Sequence, residues 1–138
     1  MLITLDAIKI INLPCDFAEN GDLTVMEGLI HVPFAIARVF VVRGFSGSTR
    51  GNHAHKKCSQ FLTCPYGIIE VFCDDGNEVK KFILDKPEIG LLIPPGIWAK
   101  QNYIVENSVL TVLCDLPYDS LDYIRNYENY LEYQKTNV

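Results

Sequence analysis

Short runs of β-branched and aromatic residues recur along this chain, each closed by a turn signal, and that rhythm confines it to an all-β fold. Arg38-Val-Phe-Val-Val42, Ser59-Gln-Phe-Leu-Thr63, Ile68-Ile-Glu-Val-Phe72, Val79-Lys-Lys-Phe-Ile83, Leu91-Leu-Ile93 and Val109-Leu-Thr-Val-Leu113 all favour strands. Asp74-Asp-Gly-Asn77 supplies the positive φ that a tight hairpin needs, and Pro94-Pro-Gly96 is a rigid corner. Many short strands with such punctuation predict a sandwich or jelly roll. At 138 residues and 49% hydrophobic content, the chain suits a single domain over 1–138. No repeat, linker or low-complexity segment interrupts it. The end reads differently: Asp119 or Ser120 can cap a short C-terminal helix, and Tyr123, Tyr127 and Tyr130 recur at helical spacing, as residues packing onto the sheets do.

Two of the three histidines stand in Arg50-Gly-Asn-His-Ala-His-Lys-Lys57. In an extended segment side chains alternate faces, so His53 and His55 point to one side and can converge on one small ligand. Two such imidazoles fit either a metal site or paired acid and base groups. The spacing resembles the first half of the cupin signature, with Gly51, His53, His55 and Gly67 in place and Gln60 where a glutamate is usual. Gly90-Leu-Leu-Ile-Pro-Pro-Gly96 resembles the second half, but the histidine due near Ala99 is missing. The resemblance implies a cupin jelly-roll barrel, and the depleted donor set implies a pocket without its metal.

A net charge of −5 and a pI near 5.1 argue against general nucleic-acid binding. Arg38, Arg43, Arg50, Lys56 and Lys57 nevertheless lie close in sequence to the histidines, as suits a phosphorylated small molecule or a solvated charged edge. Cys15, Cys58, Cys64, Cys73 and Cys114 form no Cys-x-x-Cys and read as small core residues. The first residues carry Asp6 and Lys9 within a short apolar stretch, unlike a signal peptide, and no run is long enough to cross a bilayer. A reducing cytoplasm and no membrane partner are the expectation.

The run from Arg50 to Lys56 with Gln60, then Pro94-x-x-x-Trp98, then Asp122-Tyr-Ile-Arg-x-Tyr127 together resemble the sugar 3,4-ketoisomerases of the WxcM-like cupin group, from about Pro33 to Tyr130. That resemblance implies a metal-independent homodimer, without cofactor, acting on dTDP-4-keto-6-deoxyglucose. The product would be a dTDP-3-keto-6-deoxyhexose, galacto or gluco, on the way to 3-amino-3,6-dideoxyhexoses of lipopolysaccharide or S-layer glycans. The chemistry suits imidazole: a proton leaves C3, an enediol forms, and a proton returns at C4. With an unperturbed pKa of about 6.5, imidazole can both accept and donate.

By resemblance, His55 acts at carbon and His53 at the substrate oxygens, while Arg38 and Arg125 meet the diphosphate through their guanidinium forks. Arg125 can equally pair with Asp122 or Glu128 on a helix surface. Arg50 orients its loop or reaches substrate, and Gln60 can hydrogen-bond sugar hydroxyls or line the barrel. Trp98, the single tryptophan, lines the sugar pocket or the core. Two departures from the family pattern stand out: Ala99 follows the tryptophan where histidine is common, and Phe40 and Val41 replace two tyrosines. The competing readings are a metal-dependent cupin enzyme, a 3,5-epimerase and a noncatalytic nucleotide-sugar-binding subunit.

Overall fold

The computed structural model describes residues 2–136. It contains β1 (Lys9–Asn12), β2 (Cys15–Ala18), β3 (Gly21–Thr24), β4 (Arg38–Gly44), β5 (Thr49–His55) and β6 (Gln60–Tyr66). There follow β7 (Ile69–Asp74), β8 (Val79–Leu84), β9 (Ile89–Ile93), β10 (Trp98–Tyr103), β11 (Ser108–Cys114), β12 (Tyr123–Ile124) and one helix, α1 (Tyr127–Thr136). Two antiparallel five-stranded sheets have the orders β1-β9-β6-β11-β4 and β12-β5-β10-β7-β8, and β2-β3 is a separate hairpin. This is the expected all-β cupin jelly roll with a short C-terminal helix. Among the described residues no strand pairing joins the two sheets, so the barrel is a sandwich rather than a hydrogen-bonded closed cylinder.

Alternation along the strands builds the layers. Ile69, Val71 and Cys73 of β7 are buried while the residues between them are partly exposed. They meet Leu62, Cys64, Leu91, Leu110 and Val112 from the other sheet in the main core. Each such fully buried aliphatic side chain contributes roughly 1.5–3 kcal/mol. A second cluster, Leu13, Val32, Phe61 and Leu113, lies where the segment after β1 covers the first sheet. A third, Ala54, Trp98, Ile124 and Tyr130, lies where α1 covers the second. The cysteines behave as core residues: all five are free, and Cys58, Cys64, Cys73 and Cys114 are buried.

The β7–β8 hairpin forms where Asp-Asp-Gly-Asn predicts it. Gly76 has φ 91°, Asp74 Oδ1 accepts from the Gly76 amide, and Asp75 Oδ1 accepts from the amides of Asn77 and Glu78. The helix begins later than the sequence reading has it. Asp119 caps only a single 3-10 turn, Ser120–Asp122, through the Leu121 amide (3.0 Å). The chain then extends as β12, with Tyr123 and Ile124 pairing with His55 and Ala54. Asn126 caps the true helix through the Asn129 amide (3.0 Å). Tyr123 is therefore a strand residue, and only Tyr127 and Tyr130 belong to the helix.

Candidate active site

The His-Ala-His stretch reaches its geometry through a bulge. His53 pairs with Ala99 of β10 but Lys100 pairs with Gly51, which leaves Asn52 without a partner across that pair of strands. Gly51 and Asn52 both have positive φ, 89° and 59°. A Cβ on Gly51 would approach Gln101 Oε1 to 2.8 Å and the Ala99 carbonyl to 3.2 Å, so glycine is required here. Beyond the bulge His53 and His55 do share a face, with ring centroids 5.1 Å apart, edge to face, while Ala54 between them points into the cluster under α1.

The two imidazoles have unequal surroundings. His53 lines a cavity of about 250 Å³ at the open end of the sandwich. His55 lies behind it, only 6% exposed, and its Nδ1 is 2.9 Å from Asp122 Oδ2. Asp122 also accepts from the backbone amides of Lys57 (2.6 Å) and Cys58 (3.3 Å). Burial alone would raise the Asp122 carboxyl, but the hydrogen bonds from His55 and those amides hold it below the usual carboxylate range. Burial lowers His55 below ordinary imidazole; Asp122 opposes this, and Arg38 and Arg125 add to the lowering. At neutral pH the contact is thus a neutral imidazole N–H donating to a carboxylate rather than an ion pair. That tautomer leaves Nε2 unprotonated, and this buried atom has no hydrogen-bond partner among the described residues. Burial, with His55 next and Arg125 after it, brings His53 down to about 4.

Tyr123 holds the histidines together. Its ring centroid is 4.3 Å from that of His55 and 5.1 Å from that of His53. Arg38 Nη1 donates to its hydroxyl oxygen (3.3 Å), and the Arg125 guanidinium lies 4.3 Å over its ring. Arg38 also stacks on Phe40 and Tyr118, at 4.7 and 4.9 Å. These cation–π contacts fix two guanidinium groups at the rim.

The cavity gathers five of the seven residues singled out from sequence: Arg38, Arg50, His53, Gln60 and Arg125. His55 sits directly behind the wall. Trp98 stands elsewhere. Its neighbour Ala99 points into the core, so by alternation Trp98 points outward beneath α1, with Tyr127 and Tyr130 at 5.2 and 5.6 Å. Of the two replaced tyrosine positions, Phe40 lines the cavity whereas Val41 faces outward, 62% exposed. Hydroxyls come from other places: Tyr103, Tyr118 and Tyr123 all line the cavity. Tyr103 OH is buried without a partner among the described residues, and burial pushes it up to about 12. Sequence reasoning missed Asp122 as the partner of His55 and Tyr123 as a wall of the site. The signal lay in the alternation Tyr123-Ile124-Arg125, polar-apolar-polar as in a half-buried strand.

The cupin metal position does not fit these residues. His53 and His55 are present, but Gln60 is a neutral amide directed at Cys114 Sγ (3.9 Å), and Ala99 offers no ligand. Among the described residues no helix is long and apolar enough to cross a membrane.

The model of the family described as WxcM-like, C-terminal (FdtA) matches residues 6–135. The TDP-4-oxo-6-deoxy-alpha-D-glucose-3,4-oxoisomerase of Aneurinibacillus thermoaerophilus is 37% identical over 126 residues, 91% of each chain. The crystal structure of QdtA, a sugar 3,4-ketoisomerase from Thermoanaerobacterium thermosaccharolyticum, in complex with TDP superposes with a TM-score of 0.92 at 36% identity, covering 97% of this chain and 98% of that one. A histidine-to-asparagine variant of QdtA, in complex with TDP-4-keto-6-deoxyglucose, superposes equally well, with a TM-score of 0.92 at 35% identity over 96% of this chain and 97% of that one.

Proposed function

Because this chain belongs to the WxcM-like, C-terminal family, we propose that it isomerises dTDP-4-keto-6-deoxyglucose to a dTDP-3-keto-6-deoxyhexose, by proton transfer through an enediol and without a metal. The observation that carries this reading is the cavity itself. A neutral imidazole on its wall is backed by a His-Asp pair and ringed by three arginines. At about 250 Å³ the cavity suits one sugar ring, with the nucleotide lying along the rim.

The division of labour we propose is the reverse of the one the resemblance implies. His53 faces the cavity, whereas His55 Nε2 is closed off from it, so His53 takes the C3 proton and returns one at C4. His55, held as the Nδ1–H tautomer by Asp122, orients His53 and exchanges hydroxyl protons through it and through Tyr123. Arg38 and Arg125 take the diphosphate, Arg50 reaches the sugar side, and Gln60 and Tyr103 hydrogen-bond sugar oxygens. The face of the enediol that is protonated at C4 decides between galacto and gluco products. Either 3-keto sugar would then feed an aminotransferase making 3-amino-3,6-dideoxyhexoses for surface glycans.

The assembly follows from surface chemistry. Val39 and Val41 on the outer face of β4, with Phe17 and Leu23 of the β2–β3 hairpin, are 56–67% exposed. Val39 and Val41, side by side on an edge strand, support a homodimer closed through the outer face of β4. Free, mostly buried thiols support a cytoplasmic setting.

Proton NMR of chelator-treated protein with dTDP-4-keto-6-deoxyglucose in deuterated buffer tests the reaction. Exchange at C3 with appearance of a 3-keto product is expected. Exchange at C5 as well would favour the epimerase. A requirement for added metal would favour a metal-dependent cupin, and tight binding without exchange a noncatalytic subunit.

A further inference from the structure

Behind the wall of the cavity lies a second constellation, which shares His55 and Asp122 with the isomerisation and adds Cys58, a side chain the reaction does not use. One ligand atom each of His55, Cys58 and Asp122 lie within 4.8 Å of one another. Two come from a His-x-x-Cys segment at the end of β5. The third comes from the 3-10 turn that the Lys57 and Cys58 amides tie to that segment. His55 and Cys58 are each 6% exposed, and the Asp122 side chain is 9% exposed. His55 Nε2, in addition, is a buried nitrogen with no partner among the described residues. A second depression, bounded by Lys57, Leu116, Pro117, Tyr118, Asp119 and Asp122, reaches the carboxylate from outside and shares only Tyr118 with the lining of the sugar cavity. It gives a small hydrated ion a path to the Asp122 carboxylate.

From this we infer that His55, Cys58 and Asp122 form an inhibitory binding site for a thiophilic divalent cation of the zinc type. Imidazole, thiolate and carboxylate are the donors zinc takes, three protein ligands leaving a fourth position for water. The charges balance: the Cys58 thiol releases its proton to solvent, and the thiolate and the Asp122 carboxylate neutralise the dication. The hydrogen bond to Cys114, and burial after it, favour the protonated Cys58 thiol in the free protein, so the ion must displace that proton. Whichever imidazole nitrogen binds, the pair behind the active site is lost. Coordination through Nε2 occupies its lone pair. Coordination through Nδ1 replaces the hydrogen bond to Asp122 and moves the remaining proton to Nε2. Inhibition rests on the role proposed for His55, whereas binding of the ion does not.

Cobalt(II), a spectroscopic substitute for zinc, separates the two. Titrated into the chelator-stripped, reduced chain, it should give a sulfur-to-cobalt charge-transfer band saturating at one ion per chain, and Cys58→Ser should lose that band. In turnover assays Cys58→Ser should keep its basal rate and need about tenfold or more zinc for half-inhibition. Absence of the band in the wild-type chain overturns the site without any variant having to fold. Equal zinc sensitivity in Cys58→Ser overturns it too. A saturating band lost in Cys58→Ser, from a chain that does not turn over any substrate offered, keeps the site and removes the isomerase.

Discussion

Replacing His53 with asparagine removes the imidazole on the cavity wall but keeps a side chain able to hydrogen-bond, so C3 exchange should fall by about 10²–10⁴-fold. TDP binding, which we assign to Arg38 and Arg125, should remain within a few-fold. Exchange at a near-normal rate in that variant, followed by NMR, would return the role at carbon to His55. The Asp122→Asn change tests the partner: an amide in place of the carboxylate no longer fixes the Nδ1–H tautomer, so kcat should drop with KM little changed. The pH dependence follows from the same surroundings. His53 must be neutral to accept a proton, and burial brings it to about 4 in the free protein. The acid limb of kcat/KM should therefore lie well below the 6.5 of ordinary imidazole. The substrate diphosphate offsets the field of Arg125, so the acid limb of kcat, which reports the complex, should lie at higher pH than that of kcat/KM. Coincident limbs would mean that the arginines do not meet the phosphates.

At the scale of the element, the bulge in β5 and the short strand β12 do most to place these groups. Gly51→Ala should cost about 1–3 kcal/mol, because φ 89° is strained for alanine and the added methyl meets the Ala99 carbonyl. Chemical denaturation measures that cost, and kcat should fall with it as His53 is re-aimed. Tyr130→Phe acts elsewhere. The hydroxyl sits 2.7 Å from the Gly96 carbonyl and 3.0 Å from that of Asp74, so its loss should cost roughly 1–3 kcal/mol of stability and leave KM unchanged. Strands with β-branched runs were readable from sequence because burial on one face writes a period of two. The sequence Trp98-Ala-Lys-Gln-Asn-Tyr103 was not read as a strand, since lysine, glutamine and asparagine carry no strand signal of their own, although it pairs with both β5 and β7. The spacing of Tyr123, Tyr127 and Tyr130 matches a helix, but the pairing of residues 123 and 124 with His55 and Ala54 overrides it. Trp98 was ambiguous for want of a register, and one neighbouring pair, inward Ala99 beside outward Trp98, resolves it.

For the molecule as a whole, the lowered imidazoles set the response to acid. His53 goes from about 6.5 in the unfolded chain to about 4 in the folded one, so protons bind preferentially to the unfolded state between those values. Its contribution to stability is fully present above about pH 6.5 and is lost as the pH falls toward 4. The urea midpoint should decline over that window, and less steeply in His53→Asn. The proposed dimer face makes a separate demand: Val41→Asp should yield monomers in analytical ultracentrifugation, and an unchanged mass would place the interface elsewhere. The arrangement of residues 122–125 has a wider meaning. Four successive residues supply the carboxylate behind His55, the ring across both imidazoles, a plug for the core beneath α1 and a guanidinium at the rim. A jelly roll usually scatters such duties over distant strands. Here they travel as one cassette attached to the edge of β5 by two residues, which makes this tail the natural unit of exchange: recombination between related chains on its N-terminal side would carry a whole set of site contacts across in a single crossover.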